Sequence, residues 1–231
     1  AIAGPKSREV LSAVIKDADP ASALSNKRFP WLSARQIELG MCPVNAIRVA
    51  YTGELGWELH HPIEMQNYLF DLLEAAGAPH GMKLVGGRAQ NWLRQEKSYR
   101  AFGTELGRDA TPLEADLPRF VDLGKEFQGR DAMQALGIRS KCVTLLIDGP
   151  EDADPWGREA LYAADGTRVG RLTSGGYSVV FEKSIGMGYV RPAHAAVGSK
   201  LKVKILDQLW DAEIVDDSPY DPKNAVIRAD G

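Results

Sequence analysis

The chain has 231 residues, of which 44% are hydrophobic and 26% are charged, and its formal net charge is −3. This length and composition are typical of a globular protein with one large domain or two modest ones. The slightly acidic balance argues against nucleic-acid binding, which favours a basic face. No apolar run reaches the length of a membrane span, and no charged-then-apolar leader opens the chain. We therefore expect neither a nucleic-acid partner nor a membrane partner.

The first part of the chain is predicted to mix short helices with strands. Apolar residues at helical spacing predict a helix that ends at Ile15. Residues 17–30 are polar and contain two prolines, which predicts a connection, and residues 31–39 predict an edge strand. Further along, an apolar repeat over residues 63–76 predicts an amphipathic helix that Gly77 ends.

Between that edge strand and that helix, residues 46–61 (AIRVAYTGELGWELHH) predict two strands joined by a glycine turn. Gly53 and Gly56 supply the backbone freedom that a tight connection needs. Alternate side chains on a strand share a face, so we expect Tyr51 and Glu58 to reach the mouth of one pocket. A phenol and a carboxylate held there suit a flat heterocycle with N–H donors. The alternative is an ordinary hairpin with a core tyrosine and a solvated glutamate, and spacing alone favours it.

A third helix is predicted over residues 87–99, and its sequence is highly charged. The charged residues towards its C-terminal end and just after it are Arg94, Glu96, Lys97 and Arg100. A solvated face with pairs three and four residues apart is the simplest interpretation of these charges. Residues 103–118 are predicted to form a loop because two prolines exclude long regular elements, and residues 127–136 predict another helix.

After Gly137 the pattern changes to short strands separated by glycine turns. The predicted strands cover residues 142–147, 160–163, 168–173, 184–190, 200–206 and 210–215. The pairs Asp165–Gly166 and Gly175–Gly176 are interpreted as turns between them. This pattern predicts an antiparallel β-barrel or jelly-roll. We place the domain boundary so that residues 1–139 form an α/β domain and residues 140–231 form the barrel domain.

The cysteines and histidines indicate which kinds of site the chain does not carry. Cys42 and Cys142 form no CxxC pair and do not resemble a disulfide framework, which favours a reducing compartment. The four histidines form no HExxH motif and no Cys/His cluster. We therefore expect no metal site built by the protein.

The sequence YTGELGWELH at residues 51–60 resembles a motif of the glycine-cleavage T-protein (aminomethyltransferase) family, in the version found in the C-terminal half of dimethylglycine and sarcosine dehydrogenases. The resemblance continues in one order along nearly the whole chain. Its further blocks are GGRAQNWLRQEKSYRAFGTEL at 86–106, TPLEADLPRFV at 111–121, KEFQGRDAM at 125–133, DADPWGREALY at 152–162, VGRLTSGGYS at 169–178, IGMGYV at 185–190 and SPYDPKNAVIRADG at 218–231. It implies an α+β fold, in which an antiparallel sheet with flanking helices forms the folate-binding part and an antiparallel barrel follows.

The resemblance also implies a cofactor, tetrahydrofolate, and residues that contact it. Glu58 matches the family's pterin-reading glutamate, whose carboxylate accepts two adjacent N–H donors, and Tyr51 matches a tyrosine that lines the same pocket. In the dehydrogenase branch the next two residues also lie against folate, and these match Leu59 and His60. His60 taken alone is equally well explained as a surface histidine. Arg119 stands where the mammalian-type enzyme has a folate-contacting tyrosine, and a guanidinium can stack on a ring or pair with a glutamyl carboxylate.

Other positions decide between branches of the family and limit the assignment of roles. Gln90 occupies the position of a folate-binding arginine in glycine-cleavage T-proteins, which favours the dehydrogenase branch. For Arg94 and Glu96 the resemblance favours support of the pocket wall over direct contact with a ligand. The family's catalytic aspartate precedes the first residue of this chain, so we assign no catalytic residue here. The cysteine-bearing KGCYxGQE motif of a tRNA-modification relative is absent from YTGELGWE.

The function that the resemblance implies is folate-dependent one-carbon transfer. The chain would capture the methyl-derived carbon of an N-methylated amine, such as dimethylglycine or sarcosine, as methylene-tetrahydrofolate. FAD would be bound only by a missing upstream region or by a flavoprotein partner, because the chain contains no flavin-binding GxGxxG region. Two alternatives stay open, namely a stand-alone folate-dependent demethylase of another methylated metabolite and a non-catalytic folate-binding module. The opening block GPKSREVL follows a substantial N-terminal portion in the family, so we expect an incomplete piece of a cytoplasmic protein, or of a mitochondrial matrix protein in a eukaryote.

Overall fold

The computed structural model of the chain describes residues 1–150 and 152–230. Packing divides these residues into two units, of which the first holds residues 1–90 and 221–230 and the second holds the described residues between 91 and 220. No helix in the described part of the chain is long and apolar enough to cross a membrane. Both cysteines are buried free thiols.

The first unit is built on a four-strand antiparallel sheet. Its strands are β1 (Ile2–Ala3), β2 (Ala34–Leu39), β3 (Cys42–Ile47) and β4 (Gly56–His60), and their order across the sheet is β1-β4-β3-β2. Buried and exposed residues alternate along β3, because successive side chains point to opposite faces of a sheet. One face therefore carries the core of this unit and the other face is open. The edge strand predicted over residues 31–39 is confirmed as β2, although it begins at residue 34.

Two helices of the first unit are close to the predicted ones. The predicted first helix is shorter than expected, because α1 (Ser7–Ser12) ends before Ile15, which instead forms a β-bridge with Leu39. The helix predicted over residues 63–76 is confirmed. It consists of a short 3₁₀ turn that continues into the next α-helix of the chain, at Gln66–Gly77.

The prediction that residues 17–30 form only a connection is wrong. A one-turn helix, α2 (Pro20–Ala23), lies within this segment. Asp19 caps its first turn, since its Oδ1 accepts the backbone N–H of Ser22 at 3.3 Å. Proline at the first helical position loses no hydrogen bond there, so here it marks the start of a helix. The Gln66–Gly77 helix is α3 in the numbering used below.

Two further helices follow in the chain. The charged helix, α4 (Gly87–Glu96), ends three residues earlier than predicted, and the boundary between the two units falls within it. The helix predicted over residues 127–136 is α5 (Arg130–Leu136). It begins after Gly129, whose φ of 93° is in the left-handed region that favours glycine.

The β-barrel predicted for the C-terminal part is confirmed as a closed six-strand antiparallel barrel. Its strands are β5 (Lys141–Ile147), β6 (Ala160–Tyr162), β7 (Arg168–Ser178), β8 (Lys183–Val190), β9 (Lys200–Ile205) and β10 (Gln208–Val215). They follow one another around the barrel in the order β10-β5-β8-β7-β6-β9, and pairing of β9 with β10 closes it. Apolar side chains from all six strands fill the interior. Packing groups the described residues between 91 and 220 with the barrel. The predicted domain boundary at 139/140 stays a prediction.

One turn prediction in the barrel is wrong. Gly175 and Gly176 lie inside β7 and do not form a turn. A Cβ on Gly175 would stand 2.6 Å from the carbonyl oxygen of Pro155, and a Cβ on Gly176 would stand 2.1 Å from the ring of Trp92. The two glycines are therefore needed because neighbouring groups approach the strand closely. The other predicted turn is confirmed, since Gly166 has a φ of 81°.

Candidate functional site

The motif at residues 51–60 forms the end of a wide loop and a strand. β3 ends at Ile47 and β4 begins at Gly56, so Tyr51 lies in the loop and not on a strand as predicted. Gly53 has a φ of 80° and supplies the turn. Gly56 serves another purpose than the predicted one, since a Cβ there would lie 2.6 Å from the carbonyl oxygen of Ile2 on β1. Glycine at this position lets β1 pair with β4.

The residues of β4 divide between the two faces of the sheet. Trp57 is fully buried in the core of the first unit, and Leu59 packs against the same core. Glu58 and His60 alternate with them and lie on the open face, with 42% and 59% of their side chains exposed. The predicted folate contacts on β4 are therefore divided between the two faces of the sheet. A ligand on the open face can contact Leu59 only through its backbone.

Cross-strand pairing defines the surroundings of the two open-face residues. His60 pairs with Asn45, which in turn pairs with Gln36, so three polar residues form one row across the sheet. Glu58 lies in the next row, opposite Ile47. The Glu58 Oε2 and His60 Nε2 atoms are 3.3 Å apart. This face thus offers a carboxylate, an imidazole and two amides to a polar ligand.

Two buried arginines fix the core face of β4. The guanidinium carbons of Arg8 and Arg48 lie 5.7 and 5.6 Å from the centroid of the Trp57 ring. Arg48 donates to the carbonyl oxygens of Phe29 at 2.8 Å and of Ala229 at 3.2 Å. Burial, aided by the nearby Arg8 charge, lowers the pKa of Arg48 to about 10, so it stays charged at neutral pH. The position of Trp57, and with it the orientation of β4, is held from several directions.

The loop before β4 contains a buried polar atom that the protein does not use. The Oγ1 atom of Thr52 is buried and has no hydrogen-bond partner in the described part of the chain. Its neighbour Tyr51 is half-buried. An unpaired buried hydroxyl is costly, and a ligand that reached it would remove that cost.

A cavity of about 650 Å³ lies beside this face in the first unit. It is lined by residues of β2 and β3, by residues 15–17 and by residues 60–62. This volume is in the range of small-molecule sites. Of the five predicted folate contacts, the lining includes His60. The roles of Tyr51 and Glu58 in folate binding stay predictions.

Arg119 lies in the second unit, in a 3₁₀ turn at Pro118–Phe120. It is exposed, and its guanidinium carbon is 4.8 Å from the ring centroid of Phe120. The ring that the Arg119 guanidinium contacts in the structure is thus that of the neighbouring Phe120. A contact between Arg119 and folate stays a prediction.

The charged residues at the C-terminal end of α4, Arg94 and Glu96, are buried, so their interpretation as a solvated face is wrong. Arg94 is fully buried and donates to Glu105 Oε2 at 2.7 Å, to the carbonyl oxygen of Tyr99 at 2.8 Å and to Ser174. Glu96 is also buried and accepts the hydroxyl of Ser178. Both residues connect α4 to neighbouring parts of the second unit. Their support of a pocket wall stays a prediction.

Sequence reasoning missed Glu105, the central acceptor of this network. Burial opposes its ionisation, but the Arg94 charge and hydrogen bonds from Ser174 and Thr173 outweigh burial and lower the pKa of Glu105. The backbone N–H of Ala101 also donates to its Oε2 at 3.0 Å. Glu105 lies in a segment predicted as a loop, where no periodicity marks a residue as buried. Only the knowledge that Arg94 is buried would have indicated that a carboxylate partner was missing.

Comparison with known proteins agrees with this architecture. The family profile "GCVT N-terminal domain" matches residues 1–125, and the profile "Glycine cleavage T-protein C-terminal barrel domain" matches residues 141–221. The chain is 38% identical over 221 residues to human mitochondrial dimethylglycine dehydrogenase, covering 93% of the chain and 24% of that protein. It is 33% identical over 239 residues to mouse mitochondrial sarcosine dehydrogenase, covering 98% of the chain and 25% of that protein.

A third relative and a solved structure extend the comparison. The aminomethyltransferase of Caldanaerobacter subterraneus subsp. tengcongensis is 34% identical over 225 residues, covering 95% of the chain and 58% of that protein. The crystal structure of the glycine cleavage system aminomethyltransferase T from Bartonella henselae has a TM-score of 0.73 at 22% identity, covering 89% of this chain and 58% of that one, which shows the shared fold.

The chain thus spans about a quarter of the length of the two dehydrogenases. Within residues 1–150 and 152–230, no group of three or more His, Cys, Asp or Glu side chains could hold a metal ion. The two profile matches cover most of the chain. The first includes the strands of the observed sheet, and the second includes those of the observed barrel. The chain therefore belongs to the glycine-cleavage T-protein family, whose domains bind tetrahydrofolate in one-carbon transfer.

Proposed function

We propose that this chain is the tetrahydrofolate-binding part of an enzyme that captures the methyl-derived carbon of an N-methylated amine, such as dimethylglycine or sarcosine, as methylene-tetrahydrofolate. Its similarity to dimethylglycine and sarcosine dehydrogenases over nearly its whole length supports this substrate class. Oxidation of the N-methyl group belongs to a flavin unit outside this chain. No residue of the chain is proposed to be catalytic.

The observation that carries the proposal is the open Glu58 carboxylate on a strand whose other face is fixed. Trp57 precedes Glu58 and is held by the core and by two arginines, so the backbone at Glu58 is rigid. A rigid carboxylate that is 42% exposed keeps acceptor sites for a ligand. Preorganised acceptors of this kind give both affinity and orientation, because little ordering remains to be done when the ligand binds.

Each proposed contact has a separate task. Bound tetrahydrofolate supplies the nucleophilic nitrogens that take up the one-carbon unit. Glu58 accepts N–H groups of the pterin edge and sets the direction of the ring, while His60, at 3.3 Å from Glu58, limits the movement of the carboxylate. Tyr51 contacts the flat ring, and Leu59 contributes its backbone.

The test is calorimetric titration of the protein and of its Glu58→Gln variant with tetrahydrofolate. The variant keeps the size of the side chain but replaces one acceptor with a donor that faces N–H groups. We expect a loss of about 2 to 4 kcal/mol, or roughly 30- to 1000-fold in affinity. Glu64→Gln is the matched control, because Glu64 is an exposed carboxylate in the 3₁₀ turn after β4. Equal affinities for Glu58→Gln and Glu64→Gln would exclude Glu58 from the site.

A further inference from the structure

A second cavity, of about 770 Å³, lies in the second unit beside β7 and β8. Four arginines are among its lining residues, and all four are exposed. We call these residues, Arg158, Arg168, Arg171 and Arg191, the arginine cluster. The resemblance to the family assigns a ligand role to none of these four arginines. We propose that the arginine cluster is a binding site for a small polyanion with two or more carboxylate or phosphate groups.

The barrel brings the four arginines together by strand pairing. Two of them lie on β7 itself. The backbone N–H of Arg191, just after β8, donates to the carbonyl oxygen of Val169 on β7 at 2.9 Å. The backbone N–H of Arg158 donates to the carbonyl oxygen of Leu172, also on β7, at 2.8 Å. Neighbouring strands lie roughly 5 Å apart, so the four long side chains share a small area.

The fold directs these side chains outward. Val169 and Leu172 belong to the buried core of the barrel, whereas Arg168 and Arg171 on the same strand are exposed. Gly170, between them, leaves no side chain in the cavity that it lines, and a Cβ there would stand 2.1 Å from the carbonyl oxygen of Tyr189. The outer surface of β7 is thus open where the arginines meet.

The charges of the cluster are not balanced by the part of the chain that the structure describes. No described carboxylate forms an ion pair with any of the four guanidinium groups, and no described side chain or carbonyl accepts a hydrogen bond from them. Other arginines of the same unit are paired, since Arg94, Arg100 and Arg139 each have a carboxylate oxygen within 2.9 Å. Like charges in one cavity repel each other, and a ligand with several negative charges would remove that repulsion.

The acidic groups near the cavity either bind other partners or are too few to neutralise the four arginines. Glu105 lines the cavity, but its carboxylate is buried and bonded to Arg94. Asp109 contributes one exposed carboxylate against four guanidinium groups. The carboxylate of Glu159 accepts the backbone N–H groups of Trp156 and of the next residue, each at 2.8 Å, and so fixes that turn at the cavity.

The chemistry and size of the cavity define the class of ligand. The planar fork of a guanidinium matches carboxylate and phosphate groups through two parallel hydrogen bonds. A volume of about 770 Å³ fits a small molecule. The Trp156 side chain is 75% exposed at the rim and offers a flat apolar surface beside the charges. Because the cluster is confined to one cavity of a chain with a net charge of −3, a small polyanion is favoured over a nucleic acid.

The experiment is calorimetric titration of the full chain with tripolyphosphate and, separately, with a γ-linked triglutamate. We expect at least one probe to bind with a Kd below about 1 mM at low salt. The probe that binds more tightly identifies phosphate or carboxylate as the natural group. Affinity should fall at least about tenfold in Arg171→Gln/Arg191→Gln, which removes two of the four charges. Raised salt should weaken binding, because the contacts are ionic.

Arg130→Gln is the matched control, since Arg130 lies on α5 in the same unit, outside the cavity lining. It should change the affinity less than about twofold. If the first double variant does not fold, Arg158→Gln/Arg168→Gln makes the same test. The proposal is overturned if neither probe binds below about 1 mM, or if a folded double variant binds as tightly as Arg130→Gln.

Discussion

Replacing Glu105 with glutamine should strongly destabilise the second unit. The side chains of Glu105 and Arg94 are both 0% exposed, and their charged atoms are 2.7 Å apart. Glu105→Gln keeps the shape of the side chain but leaves a guanidinium in the interior with no opposite charge. Removing one partner of a buried pair costs about 3 to 5 kcal/mol. We expect the lower part of this range, because the hydroxyl groups of Thr173 and Ser174 can rotate to suit an amide.

The assay is urea unfolding followed by fluorescence and far-UV circular dichroism, with thermal unfolding alongside. A loss of about 3 kcal/mol is a large part of the stability of a typical domain and corresponds to a fall of roughly 10 °C in Tm. Glu126→Gln is the control, because Glu126 is an exposed carboxylate, 87% accessible, that pairs with Arg130 on the surface. Such surface pairs contribute less than about 1 kcal/mol, so this control should stay close to the unchanged protein.

A double variant tests the cause of the effect. In Arg94→Met/Glu105→Gln the buried charge is removed together with its partner, so the combined loss should be smaller than the sum of the two single losses. The reasoning is refuted if Glu105→Gln is no less stable than Glu126→Gln. Additive single losses would show that the ion pair is not the source of the destabilisation.

Two further predictions concern stability at acid pH and the close approach of β1 to β4. Hydrogen bonds from Arg139, opposed by burial, lower the pKa of Glu114 from 4.5 to about 2. Its contribution to stability is therefore complete above pH 4.5 and is lost as the pH falls towards 2, a dependence that unfolding titrations should show and that Glu114→Gln should reduce. Gly56→Ala should destabilise the first unit by about 1 to 3 kcal/mol, because its Cβ would stand 2.6 Å from the carbonyl oxygen of Ile2. Unfolding measurements should show no such loss for Gly86→Ala, where nothing lies within 4 Å of the new Cβ, and equal stability of the two variants would contradict this account.

The parts of the fold that local patterns determine were predictable from the sequence. Alternating apolar residues mark β9, because a strand with one buried face repeats every two residues. The apolar repeat of α3 and its end at Gly77 are equally local. Similarity of whole blocks then identified the T-protein fold, which no single pattern could have done. On β4 the alternation of apolar and polar residues also indicates that Glu58 lies on the face of the sheet that points away from the core.

The features that depend on distant contacts were not predictable. Arg94 and Glu96 have the composition of a solvated helix face, yet contacts with residues about 80 positions further along the chain bury them. Gly175 and its neighbour have the composition of a turn, and only the approach of Pro155 and Trp92 explains them. The arginine cluster likewise arises from pairing across the barrel. A short-range pattern carries no information on which distant group will fill the space beside a residue.

The same dependence on distant residues applies to the face proposed to read folate. Glu58 is directed outward because Trp57 is held inward, and Trp57 is held by Arg8 and Arg48. Both arginines donate to the carbonyl oxygen of Ala229, which is 181 positions from Arg48 in the chain. The C-terminal segment of the first unit therefore belongs to the support of β4. Residues 51–60 supply the groups that a pterin would meet, but the direction of those groups is set by a contact that the motif itself does not contain.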